Sequence, residues 1–260
     1  MVSHIKELVS YRELLWIWTV RTIKVKYKQS LLGVAWAILQ PLSTTILFAV
    51  IFSRFVRVDT GGVPYPIFYY SALLPWTFLS TSISFAVPSM VSNMKLVTKI
   101  YFPREILPVA AVIASLVDFL FASIIFAGMM ILYRMPVTPG MLLLPLVIAI
   151  QILLTLGIVL AASAVNVFYR DVRFLVPLGV QLWLYLTPII YPVSLVPEQW
   201  RMLYMLNPMA GLIDAYRRIV LQGQLPQWNY LGLAVLISIL TFFAGYRYFK
   251  HVEWQFADII

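Results

Sequence analysis

Cysteine is absent from this 260-residue sequence, and histidine and acidic residues are scarce. Without cysteine the chain has no disulfide, no thiol chemistry and no cysteine-based metal site. The two histidines, His4 and His251, lie near opposite ends of the sequence, which argues against a histidine metal cluster. The sequence also lacks G-x-x-x-x-G-K-[ST], H-E-x-x-H and G-x-S-x-G. It therefore has no P-loop for ATP and no zinc-protease or hydrolase motif, and no cofactor is expected on this chain itself.

Charged residues are also scarce in this sequence. Only 11% of the residues are charged, whereas 62% are hydrophobic and the mean hydropathy is +0.90. A soluble domain has about 25% charged residues. These values predict an integral membrane protein that forms a single transmembrane domain over residues 1–260, with little mass outside the bilayer. The net charge is +9, and the basic residues lie between long apolar runs. Contact with anionic lipid headgroups therefore explains the positive charge better than binding of nucleic acid does.

Six apolar runs approach or exceed the roughly 20 residues that cross a bilayer as a helix. They occupy residues 31–52, 67–91, 106–133, 141–169, 174–193 and 228–249. An even number of spans places both termini on one side of the membrane. That side carries thirteen of the 19 basic residues, and the other side carries Arg54, Arg57, Arg134, Arg201, Arg217 and Arg218. The more basic side faces the cytoplasm, so we predict an all-α protein with six spans and both termini cytoplasmic.

Residues 4–28, within a cytoplasmic segment 1–30, are predicted to form a helix that lies on the membrane. At 100° per residue, five charged residues share a sector of about 80°, and most of the remaining surface is apolar. This pattern is typical of an interfacial amphipathic helix. Three charged residues break the pattern: Glu7, Arg12 and Lys26. Arg21, Lys24 and Lys28 are candidates for capturing an anionic substrate at its entrance, and a plain membrane anchor is the alternative.

A short charged loop, residues 93–105 (NMKLVTKIYFPRE), separates the second and third runs. Its three basic residues against one acid place it in the cytoplasm. Its aromatic residues are unusual for a loop that is merely solvated, so we predict that the loop docks on a partner. The candidate contact residues are Lys95, Lys99, Tyr101, Phe102, Arg104 and Glu105.

Two polar features lie at membrane depth or near it. Segment 194–226 is too polar for a span and too apolar for a free loop, and Asn207-Pro208 interrupts it. Two short helices that dip back into the outer leaflet would fit, and an interfacial helical hairpin is the alternative. Asp118 is the one acidic residue deep in a run. We expect it to have a structural partner, such as an arginine from 194–226, and a role in the transport path is the alternative.

Aromatic residues make up 15% of the chain. Belts at the two membrane interfaces account for most of them. Those inside the runs could instead line a channel, because aromatic faces and apolar sugar faces form weak, non-specific contacts that suit a sliding polysaccharide. The candidate lining residues are Phe48, Phe52, Tyr69, Trp183 and Tyr185.

Five stretches carry a resemblance that covers essentially the whole chain. They are 26–41 (KYKQSLLGVAWAILQP), 101–108 (YFPREILP), 169–172 (YRDV), 181–192 (QLWLYLTPIIYP) and 206–210 (LNPMA). With these five stretches in this order, the sequence resembles the permease subunit of type-2 ABC exporters for cell-surface polysaccharides, which is the O-antigen and teichoic acid group.

The resemblance implies a homodimer in the bacterial cytoplasmic membrane with two copies of a separate ATPase, which would bind ATP and magnesium. It implies that 93–105 is the coupling loop, that the N-terminal helix lies at the same interface and that 194–226 forms outer re-entrant helices. The implied substrate is a polysaccharide on undecaprenyl pyrophosphate. Teichoic acid, capsular polysaccharide and small-molecule export by the same fold stay open. So does a membrane enzyme acting on polyprenyl-linked sugars, although the isolated acids fit that class poorly.

Overall fold

The computed structural model describes residues 10–28 and 33–256, and within these ranges the chain is helical without a strand. Short turns and loops connect eleven α-helices in the described part. They are α1 (Arg12–Tyr27), α2 (Trp36–Val50), α3 (Tyr65–Ala86), α4 (Ser89–Ser92), α5 (Met94–Lys99), α6 (Ile106–Leu132), α7 (Leu144–Phe168), α8 (Val172–Tyr185), α9 (Glu198–Tyr204), α10 (Pro208–Val220) and α11 (Trp228–Val252). The start predicted for the first helix, residue 4, lies outside the described residues.

Within the described residues, four helical segments are long and apolar enough to cross a membrane. They are Trp36–Phe55, Ile106–Leu132, Pro139–Phe168 and Trp228–Gln255. The shortest of them has 20 residues. At a rise of about 1.5 Å per residue it reaches about 30 Å, the thickness of the hydrocarbon core. The prediction of an all-helical, multi-pass membrane protein is therefore confirmed.

The second and fifth predicted runs form helices of a different kind. Helix α3 has 22 residues, but it contains many hydroxyl groups and aromatic rings, and most of it is buried inside the protein. Helix α8 has only 14 residues, or about 21 Å, which is shorter than the bilayer core. The chain after it turns and forms a 3₁₀ helix at Val193–Leu195. Six complete spans stay a prediction.

Helix α3 lies at the centre of the main hydrophobic core. It packs against α2, α6, α7 and α10, and Ile67, Tyr70 and Leu79 have no exposed surface. Helices α7 and α11 pack along each other at very short range. A Cβ atom added to Gly245 would lie 2.1 Å from the carbonyl oxygen of Gly157. Glycine at this crossing therefore lets two backbones touch, as small residues do between membrane helices.

A second, smaller hydrophobic core lies at the end of the protein that contains α1 and the C-terminal part of α11. It joins the ends of several helices, and its largest members are Phe102, Phe249 and Phe256. Leu14, Leu15 and Trp18 of α1 pack against it. The predicted docking loop, the N-terminal helix and the end of the last helix thus form one packed unit.

Segment 194–226 forms two short helices, α9 and α10, that meet at Asn207. The Asn207 side chain caps α10 by accepting from the Met209 amide at 3.1 Å. It also accepts from the indole N–H of Trp183 at 2.9 Å, which fixes α8 to this corner. The division into two helices at Asn207-Pro208 is as predicted, and the depth of these helices in the membrane stays a prediction.

Arg217 of α10 holds the unwound backbone that follows α8. It is only 5% exposed, its guanidinium donates to the carbonyls of Pro188, Ile189 and Tyr191, and it lies 3.7 Å from the ring centroid of Phe68. Buried carbonyls without hydrogen-bond partners are costly, and no helix pairs the carbonyls of this turn, so the Arg217 guanidinium satisfies them. Burial lowers the pKa of Arg217, against the raising influence of Asp214, to about 9.

Candidate functional site

Asp118 is bound by the end of α1. The Lys26 ammonium and the Tyr27 hydroxyl each donate to one oxygen of its carboxylate. The Lys26 ammonium also lies 4.4 Å from the ring centroid of Phe85. These contacts correct the expected partner, which was an arginine from 194–226. Lys26 reaches Asp118 because it lies on the side of α1 that packs against α6.

The Tyr27 phenol stays protonated in this arrangement. Its burial, together with the hydrogen bond to the Asp118 carboxylate, raises the pKa of Tyr27 above its ordinary value. The neutral Tyr27 hydroxyl keeps its proton and donates a hydrogen bond to the Asp118 carboxylate. Asp118 therefore has one charged and one neutral donor, which offsets the cost of placing its charge in an apolar helix.

The opposite face of α1 is open. Arg21, Lys24 and Lys28 are all exposed there, among exposed Trp16 and Ile17. This open face borders a shallow groove of about 750 Å³ that reaches Tyr27. Arg21 is partly engaged, because it donates to the Asn93 side chain at 3.2 Å and lies 4.1 Å from the Trp18 ring centroid. The three predicted capture residues thus share an accessible basic and apolar surface, which we call the basic groove; their role in capture stays a prediction.

A separate cavity of about 240 Å³ lies between α1, α2, α3 and α6. One part of its wall is aromatic, and another part carries polar groups. Its lining includes Lys26, Tyr27, Trp36, Gln40, Thr77, Phe78, Thr81, Phe85, Asp118 and Phe119. Tyr27 borders both this cavity and the basic groove, so the two sites adjoin at one side chain. We call the smaller site the inner cavity.

The predicted docking loop divides into an exposed part and a buried part. Lys95 and Lys99 are exposed, Ile100 is 58% exposed and Tyr101 is 82% exposed. Two of the predicted contact residues point the other way: Phe102 is 4% and Glu105 1% exposed. Their placement on a docking surface is corrected, because both belong to the packed unit that joins the loop to α11.

The charged residues at the end of the loop are held by the C-terminal part of the described chain. The Lys250 ammonium lies 2.8 Å from Glu105 and 3.1 Å from Glu253. Arg104 donates to the backbone carbonyl of Glu253. Arg104 and Glu105 therefore fix the start of α6 to the end of α11, and we call these four residues the ion cluster.

The candidate lining aromatics differ in exposure and in their packing partners. Phe48 stacks on Phe52 at 5.7 Å and on Tyr69 at 4.9 Å between ring centroids. Tyr69 is 2% exposed, so its placement as a channel-lining residue is corrected: it packs α3 against α2. Trp183 meets Trp76 edge to face at 5.7 Å. Tyr185 is 56% exposed, and of the five it is the one most open to a substrate or a partner.

Sequence reasoning missed several residues that organise these sites. Lys26 was recognised only as a break in the amphipathic pattern, yet that break is the signal that it faces the protein. Lys250 was counted only among the basic residues of the cytoplasmic side, and Glu253, which follows the last apolar run, was not considered. Gln40 carries the one side-chain amide in the run 31–52. A polar side chain is unfavourable on a helix that contacts only lipid, so this residue could have been recognised as one that faces protein or water.

Comparison with known proteins identifies the family of this chain. Residues 13–221 match the model of the ABC-2 type transporter family. The chain belongs to this family. It is similar to the O-antigen export system permease protein RfbA of Myxococcus xanthus, with 29% identity over 100% of both chains. RfbA of Klebsiella pneumoniae shows 29% identity over 95% of both, and the polysialic acid transport protein KpsM of Escherichia coli 23% over 87% of this chain and 90% of KpsM. As an ABC-2 permease, the chain is a transport subunit and not itself an enzyme.

Proposed function

We propose that this chain is the membrane subunit of an ATP-driven exporter that moves a lipid-linked polysaccharide of the O-antigen class across the bacterial cytoplasmic membrane. One observation carries the proposal: end-to-end similarity to permeases named for O-antigen export. The geometry supports it, because an exposed basic groove on α1 suits an anionic lipid headgroup. A basic residue near a membrane surface contributes about 1 kcal/mol to such binding.

The rest of the assembly belongs to the same proposal. Two copies of this chain, each with six spans and cytoplasmic termini, would associate with two copies of a separate ATPase that holds ATP and magnesium. The substrate would be carried on undecaprenyl pyrophosphate. The sequence supports the division of labour, because it has no P-loop of its own.

The exposed half of the docking loop is the surface that we propose for the ATPase. Tyr101 and Ile100 project from the protein beside Lys95 and Lys99. Exposed aromatic residues flanked by basic ones are the kind of group that dominates binding energy at protein interfaces. Phe102 and Glu105 would act from behind, by holding this surface in place.

Capsular polysaccharide is the second candidate substrate, because similarity to KpsM, which is named for the transport of polysialic acid, favours another polysaccharide over the small-molecule alternative. The lower identity to KpsM ranks it below O-antigen. An anionic lipid anchor on either polysaccharide would suit the basic groove, so the groove does not separate the two candidates.

The proposal is tested by reconstitution. The chain and its cognate ATPase are placed in vesicles, and the appearance of lipid-linked O-antigen in the lumen is measured with and without ATP. We expect transport only when both subunits and ATP are present. ATP hydrolysis by this chain alone, or transport that does not depend on the ATPase, would overturn the proposal.

A further inference from the structure

The inner cavity and the basic groove adjoin at Tyr27, and together they match the order of groups along a glycosylated lipid diphosphate. We propose that the inner cavity is a sugar-binding site that reads the first sugar unit attached to the diphosphate. This inference rests on the proposed function and adds a specificity site to it.

Size limits what the inner cavity can hold. Its volume is about 240 Å³, which is below the roughly 300–1,000 Å³ of pockets for drug-sized ligands. One sugar ring fills this space, and further units of an oligosaccharide would lie outside it. The site therefore suits the one sugar unit next to the lipid and not the body of the polymer.

The chemistry of the lining fits a sugar ring. Trp36 and Phe85, which are 51% and 40% exposed, supply aromatic faces. The side-chain amide of Gln40 offers both a donor and an acceptor. The hydroxyls of Thr77 and Thr81 donate to carbonyls of α3 itself at 2.9 Å and 2.7 Å, so their oxygen lone pairs are left to accept from a ligand.

The charged pair in the wall explains why this site prefers a neutral ring to an anion. Lys26 and Asp118 neutralise each other, and their side chains are only 16% and 13% exposed. Lys24 and Lys28 lie outside in the groove, and among the described residues neither has an acidic partner. An anionic diphosphate is therefore drawn to the groove, while the hydroxyl-bearing ring beside it meets amide, hydroxyl and aromatic groups in the cavity.

The experiment uses the subunit assembled with its ATPase in nanodiscs. The probes are undecaprenyl diphosphate and undecaprenyl diphosphate that carries one glucose, galactose or N-acetylglucosamine, and binding is measured by titration. For the unmodified subunit we expect at least one sugar to tighten binding on the order of tenfold, the sum of two or more hydrogen bonds. Gln40→Leu combined with Thr77→Val should abolish this gain and leave the affinity for undecaprenyl diphosphate unchanged.

Two control variants separate the outcomes. Ser84→Ala removes an exposed hydroxyl that donates only to Ser80 of the same helix, outside the cavity, and should keep the sugar preference. Lys24→Gln with Lys28→Gln should weaken binding of both kinds of probe. Equal melting temperatures establish that each variant is folded.

The sugar site is refuted if the unmodified subunit binds all probes equally, or if the Gln40→Leu, Thr77→Val variant keeps its preference. Either result leaves the exporter function standing. Failure of every undecaprenyl probe to bind the unmodified subunit contradicts the proposed substrate, and with it the sugar site.

Discussion

Replacing Lys250 should destabilise this protein more than replacing either of its acidic partners. The Lys250 side chain is 13% exposed and lies between Glu105, which is 1% exposed, and Glu253, which is 25% exposed. Lys250→Met would leave two carboxylates facing each other with no cation between them. Breaking a buried pair in this way costs about 3–5 kcal/mol.

Glu105→Gln is a milder change for a structural reason. The amide oxygen can still accept from the Lys250 ammonium, and Glu253 still neutralises that ammonium at 3.1 Å. We expect a loss of roughly 1–2 kcal/mol, the range for a weakened hydrogen bond to a charged group. In a chain of this size 1 kcal/mol corresponds to about 2–4 °C in melting temperature. The expected decreases are thus about 10 °C for Lys250→Met and about 4 °C for Glu105→Gln.

Thermal unfolding of the purified subunit in detergent measures both values, and the double variant completes the cycle. Glu105→Gln with Lys250→Met removes one charge of each sign, so it should be more stable than Lys250→Met alone by at least about 1 kcal/mol. Ser43→Ala is a suitable control, because this exposed hydroxyl donates only to Leu39 of its own helix. The reasoning fails if Lys250→Met melts no lower than Glu105→Gln, or if the two losses simply add.

Further outcomes can be measured on the same preparation. Gly245→Ala should lower the melting temperature sharply, since its Cβ would overlap the Gly157 carbonyl, whereas Gly232→Ala, with open space around it, should not. Tyr101→Ala with Lys99→Ala should lose co-purification of the ATPase at an unchanged melting temperature, and Phe102→Ala should lower the melting temperature itself. Arg217→Met should reduce the yield of folded protein, because it leaves the carbonyls of Pro188 and Ile189 unpaired, and a normal yield would contradict that role.

Periodicity and run length predicted the coarse architecture well. The long apolar helices and the division of 194–226 at Asn207 appear in the structure, and the short charged segment before α6 appears with residues 94–99 folded as helix α5. These features depend on local sequence, because a helix at membrane depth satisfies its own backbone. The short α8 was not predicted, since the run 174–193 carries no charged residue and the turn at 187–191 is stabilised by Arg217, a residue distant in sequence.

The site was less predictable, because the side on which a residue faces depends on packing between distant segments. Tyr101 and Phe102 are neighbours of similar hydrophobic character in one loop, yet one is 82% and the other 4% exposed. Asp118 was recognised as needing a partner, but α1 and 194–226 both offered cations. Only the packing of α1 on α6 selects Lys26.

The docking loop connects an exposed aromatic residue directly to the ends of two long helices. Tyr101 projects outward, and the next residue, Phe102, is packed with Phe249 and Phe256 at the end of α11. Three residues further on, Glu105 forms an ion pair with Lys250 of α11. A force applied to Tyr101 would therefore reach α6 and α11 through the contacts of the loop residues that follow it. Because α11 touches the backbone of α7 at Gly245, displacement of α11 must either carry α7 with it or break that crossing.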